Sequence, residues 1–379
     1  MTHQDLRTRR LALAGHGAVA RALSTLLERA APELAARYGV AYLVTAVATR
    51  TRGLAVDAAD ATAWAAWPDL PSFLADPDAP YDVLVEVTTQ SPADGEPAAS
   101  HMRAALGSGR DVVTANKAPI AWHEAELRGI AERTGTRLRY EAALMDCLPT
   151  HAIRESIVPV GRVHSFAGIV NATSNAVLSA MAEGRSAAEA LADARRMGLA
   201  EADPRNDLEG HDAALKATIL ANLLLEPREL LRPDAVVRHG LEAVPDEWPA
   251  EAVRRGARVR LVARGERAAS GPAGSGFAGP TGRSGETGTP GGGPVDVRAW
   301  VGPEELQLAD PLALVAGTSM ALRIESEHGG RLQFTLLDAP VEETAYAILM
   351  DLVALERRRA LIRRAAEQRP HRPSAARGP

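Results

Sequence analysis

Apolar and polar positions divide the first 145 residues into short apolar runs that alternate with longer segments of helical periodicity. The short runs predict buried strands, and apolar residues three or four positions apart predict helices. The predicted strands are 10–14, 42–48, 82–87, 112–114 and 138–141, and the predicted helices include 19–34 and 97–107. Because strands and helices alternate, we expect an α/β fold with a right-handed, mostly parallel, doubly wound sheet.

After Pro149 the pattern becomes a mixture of helices and strands without regular alternation. The predicted helices are 151–158, a segment that opens at 171–175, 187–197, 212–225 and 342–355, and the predicted strands are 163–170, 258–262, 295–301, 321–325 and 332–336. The last two strands predict a hairpin around Gly329-Gly330. This half of the chain therefore predicts a second domain of the α+β type.

The domain boundaries follow from these changes of pattern. We expect domains at 1–145 and 146–330, followed by a strand and a helix, 331–356, that pack back on the core. Residues 265–294 are rich in Gly, Ser, Pro and Thr and nearly free of large apolar side chains, which predicts a flexible insert. The basic, proline-containing end, 357–379, predicts a disordered tail.

A glycine-containing turn, Gly15-His16-Gly17-Ala18-Val19-Ala20, connects the first predicted strand to the first predicted helix. A strand, a G-x-G-x-x-A turn and a helix in this order are typical of a Rossmann-type dinucleotide-binding domain. The glycines let the backbone approach a pyrophosphate, and the helix N-terminus supplies N–H groups. We expect Gly15, Gly17, Ala18 and Val19 to contact the cofactor. The alternative is a tight turn with a purely structural role.

The end of the second predicted strand indicates which nicotinamide cofactor is bound. NAD-binding proteins usually place an acidic residue there for the ribose 2′-hydroxyl. This chain has Thr49-Arg50-Thr51-Arg52 instead, without a carboxylate. Arg50 and Arg52 are suited to a 2′-phosphate, so we expect NADP(H) to be preferred, with NAD(H) as the alternative. The arginines could also simply be solvated.

Polar residues follow other strands of the same predicted sheet. Thr88 and Ser91 come after the strand at 82–87, and Asn116 and Lys117 come after the strand at 112–114. Since ligands of such sheets lie beyond the carboxyl ends of the strands, we expect these side chains to line the cofactor site.

The most polar stretch of the chain is 198–216, between two predicted helices. Its carboxylates include Asp207 and Asp212, and Lys216 lies one turn after Asp212 in an otherwise apolar helix that Asp212 could cap. A lysine is costly to bury without a partner, so this stretch predicts a polar site in which acidic side chains surround one lysine. The alternative is a capped helix whose lysine extends to water.

Composition excludes several classes of function. The chain has 379 residues, 46% hydrophobic residues and a formal net charge of -5, which gives no overall attraction to nucleic acid or to an anionic membrane. The single cysteine, Cys147, excludes a disulfide framework and a cysteine metal cluster. No apolar stretch is long enough for a membrane span and the N-terminus does not resemble a signal peptide, so we expect a cytoplasmic protein.

Several separated motifs resemble the homoserine dehydrogenase family. They are GHGAVA at 15–20, TANKAP at 114–119, YEA at 140–142, NATSN at 171–175 and EADPRNDLEGHDAALK at 201–216. The resemblance implies an NADP-dependent enzyme that interconverts L-aspartate 4-semialdehyde and L-homoserine by hydride transfer, within threonine and methionine biosynthesis. It also implies a second domain that carries both catalysis and dimerisation, and therefore a homodimer that acts on a small molecule.

The resemblance assigns roles to individual residues. Lys216 would transfer the proton on the substrate oxygen, Asp212 would hold that lysine, and Lys117 would assist at the carbonyl. The implied substrate-binding residues are Glu201, Asp207, Asn171 and Thr173. Glu141 matches a family residue associated with a structural Na⁺ or K⁺ ion. A C-terminal regulatory ACT domain, which some members have, is not expected in this chain.

Three loops depart from the family's pattern. A glycine-containing turn after Glu141 is replaced by Leu144-Met145-Asp146-Cys147, the family's Asn-Gly-Thr becomes Asn171-Ala172-Thr173, and a glycine loop near the C-terminus becomes 337–341, LDAPV. A paralogous reductase of another small aldehyde or alcohol and a non-catalytic nucleotide-binding relative therefore stay open as alternatives.

Overall fold

The computed structural model describes residues 6–56, 64–65, 69–196, 204–268, 296–338 and 343–367, which form two β-sheets and the helices that cover them. The strands are β1 (Arg7–Ala14), β2 (Val40–Thr49), β3 (Gly53–Val56), β4 (Trp64–Ala65), β5 (Val83–Glu86), β6 (Asp111–Thr114), β7 (Leu138–Arg139), β8 (Val163–Ile169), β9 (Val237–Arg238), β10 (Ala257–Arg267), β11 (Val297–Gln307), β12 (Met320–Ser326) and β13 (Gly330–Leu336). The helices are α1 (Ala18–Tyr38), α2 (Leu70–Ala75), α3 (Ala98–Gly107), α4 (Lys117–Thr134), α5 (Thr150–Ala152), α6 (Ala172–Ala182), α7 (Ala187–Arg196), α8 (Arg205–Leu208), α9 (His211–Leu220), α10 (Glu247–Arg254) and α11 (Glu343–Glu367).

The first sheet has the order β4-β3-β2-β1-β5-β6-β7. Strands β2, β1, β5, β6 and β7 run parallel, and β3 and β4 add an antiparallel edge. Successive side chains of β1 face opposite sides of the sheet, as the period of a strand requires. Leu11 and Leu13 pack with α1 and α11, whereas Ala12 and Ala14 pack with α2, α3 and α4. The predicted doubly wound, mostly parallel sheet is confirmed.

The second sheet has the order β13-β12-β8-β10-β11-β9 and is antiparallel except for the β9–β11 pair. Helices α6, α9 and α10 cover one of its faces, and the predicted hairpin is the β12–β13 pair. Helix α9 also packs against α4 of the first sheet's layer, and one apolar cluster runs from Leu84 to Val259. The catalytic stretch predicted on α9 therefore lies between the two sheets.

Two predicted segments end differently in the structure. Helix α11 continues to Glu367, although we predicted a helix end at 355 and a disordered tail from 357. Just beyond the predicted helix end, two side chains of α11 have partners on the first sheet: Arg9 Nε donates to the buried Glu356, and Arg359 donates to Asp111. Strand β10 extends to Arg267, past the predicted start of the insert at 265, because its register with β11 continues to Val297.

The remaining residues of the predicted insert and tail, 269–295 and 368–379, lie outside the described residues. None of the helices in the described part of the chain combines the length and the apolar character needed to cross a membrane.

Candidate active site

The turn between β1 and α1 has the shape required for close approach to a phosphate. Gly15 has a φ of +100°, and a Cβ at this position would lie 2.5 Å from the backbone oxygen of Val87, so only glycine fits. Gly17 precedes α1 in an extended conformation, and a Cβ there would meet no atom within 4 Å. Ala18 and Val19 follow in the first turn of α1, so their N–H groups lie at the positive end of the helix. These residues fit a dinucleotide pyrophosphate.

Arg50 and Arg52 lie in the hairpin turn between β2 and β3, at the carboxyl end of β2. Both side chains are exposed, and the N–H of Arg52 donates to Thr49 Oγ1 at 3.0 Å, which fixes the turn. This turn borders the same edge of the sheet as Gly15, and the contact of the two arginines with a ribose substituent stays a prediction.

Polar side chains at the ends of β5 and β6 meet at this edge around Glu86. Glu86 was not predicted from the sequence. The Glu86 carboxylate is fully buried and accepts hydrogen bonds from the N–H and the Oγ1 of Thr88. Asn116 Nδ2 donates to the carbonyl of Thr88 at 3.4 Å, and the N–H of Lys117 donates to Gln90 Oε1 at 3.3 Å. The predicted residues Thr88, Asn116 and Lys117 therefore belong to one network.

Ser91 lies outside this network, because its hydroxyl donates to Asp94 Oδ1 at 2.7 Å on the protein surface. A signal for Glu86 existed in the sequence, since a carboxylate at the end of a fully apolar strand is rarely buried without a role.

Two ammonium groups meet at one carboxylate between the two sheets. Asp212 Oδ1 lies 3.2 Å from Lys117 Nζ, and Asp212 Oδ2 lies 3.3 Å from Lys216 Nζ. Lys216 Nζ also donates to the backbone oxygen of Val170 at 2.6 Å. These are the only two lysines in the 379 residues. Their convergence brings the end of β6 and the helix α9 to the same point.

The alternative in which Lys216 extends to water is wrong, because its side chain is only 8% exposed. The prediction that Asp212 caps the helix is also wrong. Asp212 is the second residue of α9, after Gly210 in the left-handed conformation and His211. At this position its carboxylate faces the two lysines. The apolar side chains of α9 around it are buried, as predicted.

Asn171 joins two carboxylates of the cluster. It precedes α6, and its side-chain oxygen accepts from the N–H of Ser174 at 2.8 Å. Its Nδ2 donates to Asp207 Oδ1 and to Asp212 Oδ2, both at 2.9 Å. Thr173 is buried in the first turn of the same helix. Of the predicted substrate-binding residues, Glu201 lies outside the described residues.

The charges of the cluster change the proton affinities of its members. Burial would raise the pKa of Asp212, but Lys117 and Lys216 outweigh it and hold the pKa well below its ordinary value. Burial would lower the pKa of Lys117, but Asp212, with Asp146 and Asp207, raises it overall. Burial and the nearby Asp212 raise the pKa of Asp207. At neutral pH a charged Lys117 is therefore paired with a charged Asp212 in the site.

Glu141, the predicted cation ligand, has a different environment. Its carboxylate accepts the N–H groups of Thr150 and His151 at the start of α5, and its own N–H donates to Asp351 Oδ2 at 2.7 Å. Among the described residues, no group of three or more His, Cys, Asp or Glu side chains could hold a metal ion. The contacts give Glu141 a helix-capping role, and we derive no step of the reaction from a cation.

Comparisons with known proteins agree with this site. Residues 15–141 match the NAD-binding domain of homoserine dehydrogenase and residues 149–353 match the homoserine dehydrogenase family. The NAD(+)-dependent homoserine dehydrogenase of Pseudomonas canavaninivorans is 32% identical over 91% of this chain and 95% of its own length. Homoserine dehydrogenase of Mycobacterium tuberculosis is 34% identical over 93% of this chain and 73% of its own length.

Solved structures give the same result. A homoserine dehydrogenase from Thiobacillus denitrificans superposes with a TM-score of 0.76 at 27% identity and covers 94% of this chain and 74% of its own. The enzyme from S. aureus superposes with a TM-score of 0.68 at 26% identity and covers 92% of this chain and 76% of its own.

Proposed function

The chain belongs to the homoserine dehydrogenase family, and from this premise we propose how its residues carry the reaction. It is an NAD(P)-dependent oxidoreductase that acts on a CH–OH group, and the substrate pair is homoserine and aspartate 4-semialdehyde. The observation that carries the proposal is the buried Asp212 carboxylate between the Lys117 and Lys216 ammonium groups.

Lys216 is the proton-transfer residue of this proposal. Reduction of an aldehyde places negative charge on the oxygen, and a positioned ammonium can donate a proton to it. In the direction of oxidation the neutral amine takes the hydroxyl proton back. A nicotinamide cofactor, when bound, would supply or accept the hydride. Asp212 and the Val170 carbonyl fix the position of the Lys216 amine, which limits it to one geometry.

Lys117 stabilises the charge on the substrate oxygen. Its pKa is raised despite burial, so it stays an ammonium throughout the cycle. A fixed cation in a partly dehydrated site is worth more to a developing oxyanion than the same cation in water. Its side chain is 22% exposed, which leaves room for a substrate at this edge.

Carboxylates beside the lysines bind the substrate ammonium. Asp207 accepts a hydrogen bond from Asn171 in the same cluster, and Thr173 is the second residue of α6, which follows Asn171. We include Glu201 in this role from its place in the matching motif. The lysines in turn attract the substrate carboxylate, so the site recognises an α-amino acid by both of its charged groups.

We assign NADP(H) as the preferred cofactor, with the pathway role of supplying homoserine for threonine and methionine. The support is the exposed arginine pair in the β2–β3 turn, in which the described residues Thr49–Gly53 include no carboxylate. The Pseudomonas relative is named NAD(+)-dependent, so NAD(H) is the competing assignment. Initial rates with the two cofactors at equal concentration distinguish them.

The proposed function is tested by following NADPH oxidation with aspartate 4-semialdehyde and NADP⁺ reduction with homoserine. We expect turnover in both directions, with other small aldehydes of the same length as poorer substrates. A higher kcat/KM for another aldehyde would favour the alternative of a paralogous reductase. The altered loop around Asp146 is one of the features that keep this alternative open. Cofactor binding without turnover of any aldehyde in the panel would identify a non-catalytic relative.

We propose that the enzyme is a homodimer formed through the second domain. Support comes from the exposed apolar side chains Leu308 and Leu314, which are 43% and 67% exposed beside an apolar cluster on the outer face of the second sheet. Such a patch is typical of an interface. Light scattering should give twice the chain mass, and Leu314→Lys should lower it to one chain.

A further inference from the structure

Glu86 ends strand β5 at the edge of the first sheet. It pairs with Ala14 of β1 on one side and with Thr114 of β6 on the other, and its side chain is fully buried. One carboxylate oxygen, Oε1, accepts the backbone N–H of Thr88 at 3.2 Å and also accepts the Thr88 hydroxyl. His101 Nδ1 of α3 faces the same oxygen at 3.6 Å. Glu86 thus holds the N–H and the O–H of Thr88 with one oxygen.

Stability alone does not explain this arrangement. Glu86 Oε2 and His101 Nδ1 are buried, and neither has a hydrogen-bond partner in the part of the chain that the structure describes. A buried polar atom without a partner costs free energy, so its presence in a fold calls for an explanation. A carboxylate that served only the fold would be expected to have partners on both oxygens. What the arrangement does achieve is a fixed direction of the Thr88 hydroxyl.

The contacts of Thr88 leave only lone pairs for a ligand. A threonine hydroxyl has one O–H donor and two acceptor lone pairs. The O–H and the backbone N–H of Thr88 both donate to Glu86, and its carbonyl accepts from Asn116 Nδ2 at 3.4 Å. The half-buried side chain can therefore accept a hydrogen bond from a ligand but has no proton to donate. It suits an O–H or N–H group of a ligand, and it does not suit the oxygens of a phosphate or a carboxylate.

The order of the strands locates Thr88 relative to the two halves of a dinucleotide. Neighbouring strands of the first sheet follow the order β2, β1, β5 and β6, and the residues after their carboxyl ends are Arg50, Gly15, Thr88 and Lys117, respectively. A Cβ on Gly15 would lie 3.0 Å from the backbone N of Thr88, so Thr88 borders the glycine turn directly. Because we assign Arg50 to the adenosine ribose, the nicotinamide half extends the other way, past Thr88 toward Lys117. The donors of that half are the ribose hydroxyls and the carboxamide NH₂.

We propose that Glu86 is a positioning residue that commits the Thr88 hydroxyl to accept a hydrogen bond from the nicotinamide half of the cofactor. The inference rests on the proposed binding of a nicotinamide cofactor at this edge. It adds that affinity for one half of the cofactor depends on a buried carboxylate behind Thr88. Glu86→Gln keeps the size of the side chain, but its amide can donate to Thr88 Oγ1 and turn the hydroxyl proton toward the ligand.

Dissociation constants measured with the full chain test this role. NADPH contains both halves of the cofactor, whereas adenosine 2′,5′-bisphosphate lacks the nicotinamide half; NADH and AMP replace them if the parent binds NADH more tightly. In Glu86→Gln we expect NADPH to bind about threefold to tenfold more weakly, the effect of one lost hydrogen bond. The bisphosphate should bind as it does to the parent. A purely structural role of Glu86 would weaken both nucleotides alike.

A double-mutant cycle shows whether Glu86 acts through Thr88. Thr88→Val removes the hydroxyl, keeps the shape of the side chain and should weaken NADPH by a similar factor. In that background Glu86→Gln should change the affinity by less than about twofold. Glu124→Gln is the matched control, since Glu124 is another buried carboxylate of the same domain, with Tyr140 Oη donating to it at 2.8 Å, and it should leave both constants unchanged. Glu86→Met, which is apolar and of similar length, serves if Glu86→Gln folds poorly.

An analogue of NADPH with an acetyl group in place of the carboxamide identifies the donor. If the carboxamide NH₂ donates to Thr88, Glu86→Gln should not change the affinity for the analogue. If a ribose hydroxyl donates, the substitution should weaken the analogue as much as NADPH. Either result upholds the acceptor role of Thr88.

Three outcomes would overturn the proposal: unchanged NADPH affinity in Glu86→Gln, equal weakening of NADPH and the bisphosphate, or a full effect of Glu86→Gln in the Thr88→Val background. A parent protein that binds neither NADPH nor NADH would instead reject the proposed function, and with it the ligand of Thr88.

Discussion

At the scale of single residues, Lys216 is the side chain whose surroundings most restrict its role. It is 8% exposed on an apolar helix, and its partners are one carboxylate and one backbone carbonyl. Buried ion pairs add little net stability to a fold, so an apolar residue at position 216 would stabilise the protein about as well as the lysine does. Its chemistry is therefore the better explanation of its presence.

Lys216→Ala should lower kcat by about 10²–10⁴-fold, because it removes the positioned proton donor. The cofactor dissociation constant should change by less than about tenfold, since the nucleotide turn is on the other sheet. Steady-state rates and a fluorescence titration with NADPH measure the two quantities. A variant that turns over at the parent rate would exclude Lys216 from the chemistry.

Some residues of the site could be predicted from the sequence and others could not. Lys117, Lys216 and Asp212 were identifiable because charged groups in apolar surroundings need partners, and the motif supplied them. Glu86 was missed although its place at the end of an apolar strand was a signal. The contact of Asp146 with Thr344 was not predicted, because the two residues lie 198 positions apart in the chain. Such contacts leave no periodic signal in a chain.

At the scale of elements, the β2–β3 hairpin turn is the feature that should select the cofactor. The turn projects Arg50 and Arg52 from the carboxyl end of β2 into solvent. Strand and helix boundaries around this turn were predicted within a few residues. Strand β3 was not predicted, because a strand of four residues has little apolar pattern of its own.

Arg50→Asp should lower the ratio of kcat/KM for NADP⁺ over NAD⁺ by about tenfold to a hundredfold. The variant removes a charge-assisted hydrogen bond to the 2′-phosphate and adds an acceptor for a 2′-hydroxyl. Initial rates with both cofactors give the ratio. Arg162→Asp, an exposed arginine of the second domain, is the control and should leave the ratio unchanged. If Arg50→Asp also leaves it unchanged, the 2′-phosphate is read by other residues.

The Glu141 cap on α5 should make stability depend on pH. Burial, with Asp351 nearby, raises the pKa of Glu141 from 4.5 to about 8, so the folded protein binds this proton more tightly than the unfolded chain does. Stability is then lost as pH rises from about 4.5 to about 8. Each tenfold difference in proton affinity between the folded and unfolded states corresponds to about 1.4 kcal/mol, so the loss amounts to a few kcal/mol.

Glu141→Gln cannot ionise, so this loss should be absent. Urea unfolding from about pH 4.5 to about pH 8 should give a flatter stability curve for the variant, with the larger difference at the alkaline end. Asp351, whose burial raises its pKa to about 6, keeps its own contribution in both proteins. Parallel curves for the two proteins would show that Glu141 is ionised in the folded state throughout.

At the scale of the whole molecule, the last described helix, α11, packs against the first elements of the chain. Helix α11 packs against α1 and the apolar face of β1, and Tyr42 Oη donates to the backbone oxygen of Leu352 at 2.8 Å. The same helix starts at Glu343, and its second residue, Thr344, donates a hydrogen bond to Asp146 in the loop after Glu141. One helix thus links the nucleotide-binding sheet to the loop that follows Glu141. The sequence pattern predicted only a helix that packs back on the core.

Leu352→Ala tests whether the packing of α11 on α1 and β1 is part of the cooperative fold. Leu352 is fully buried between α11, α1 and β1, so its truncation should lower the free energy of unfolding by about 2–5 kcal/mol. Val160→Ala, at a position that is 69% exposed, is the control and should change it by less than about 0.5 kcal/mol. Urea titration followed by circular dichroism measures both. If α11 were an appendage, Leu352→Ala would unfold at the parent midpoint. A single transition at lower urea would show instead that the nucleotide-binding sheet and its closing helix unfold together.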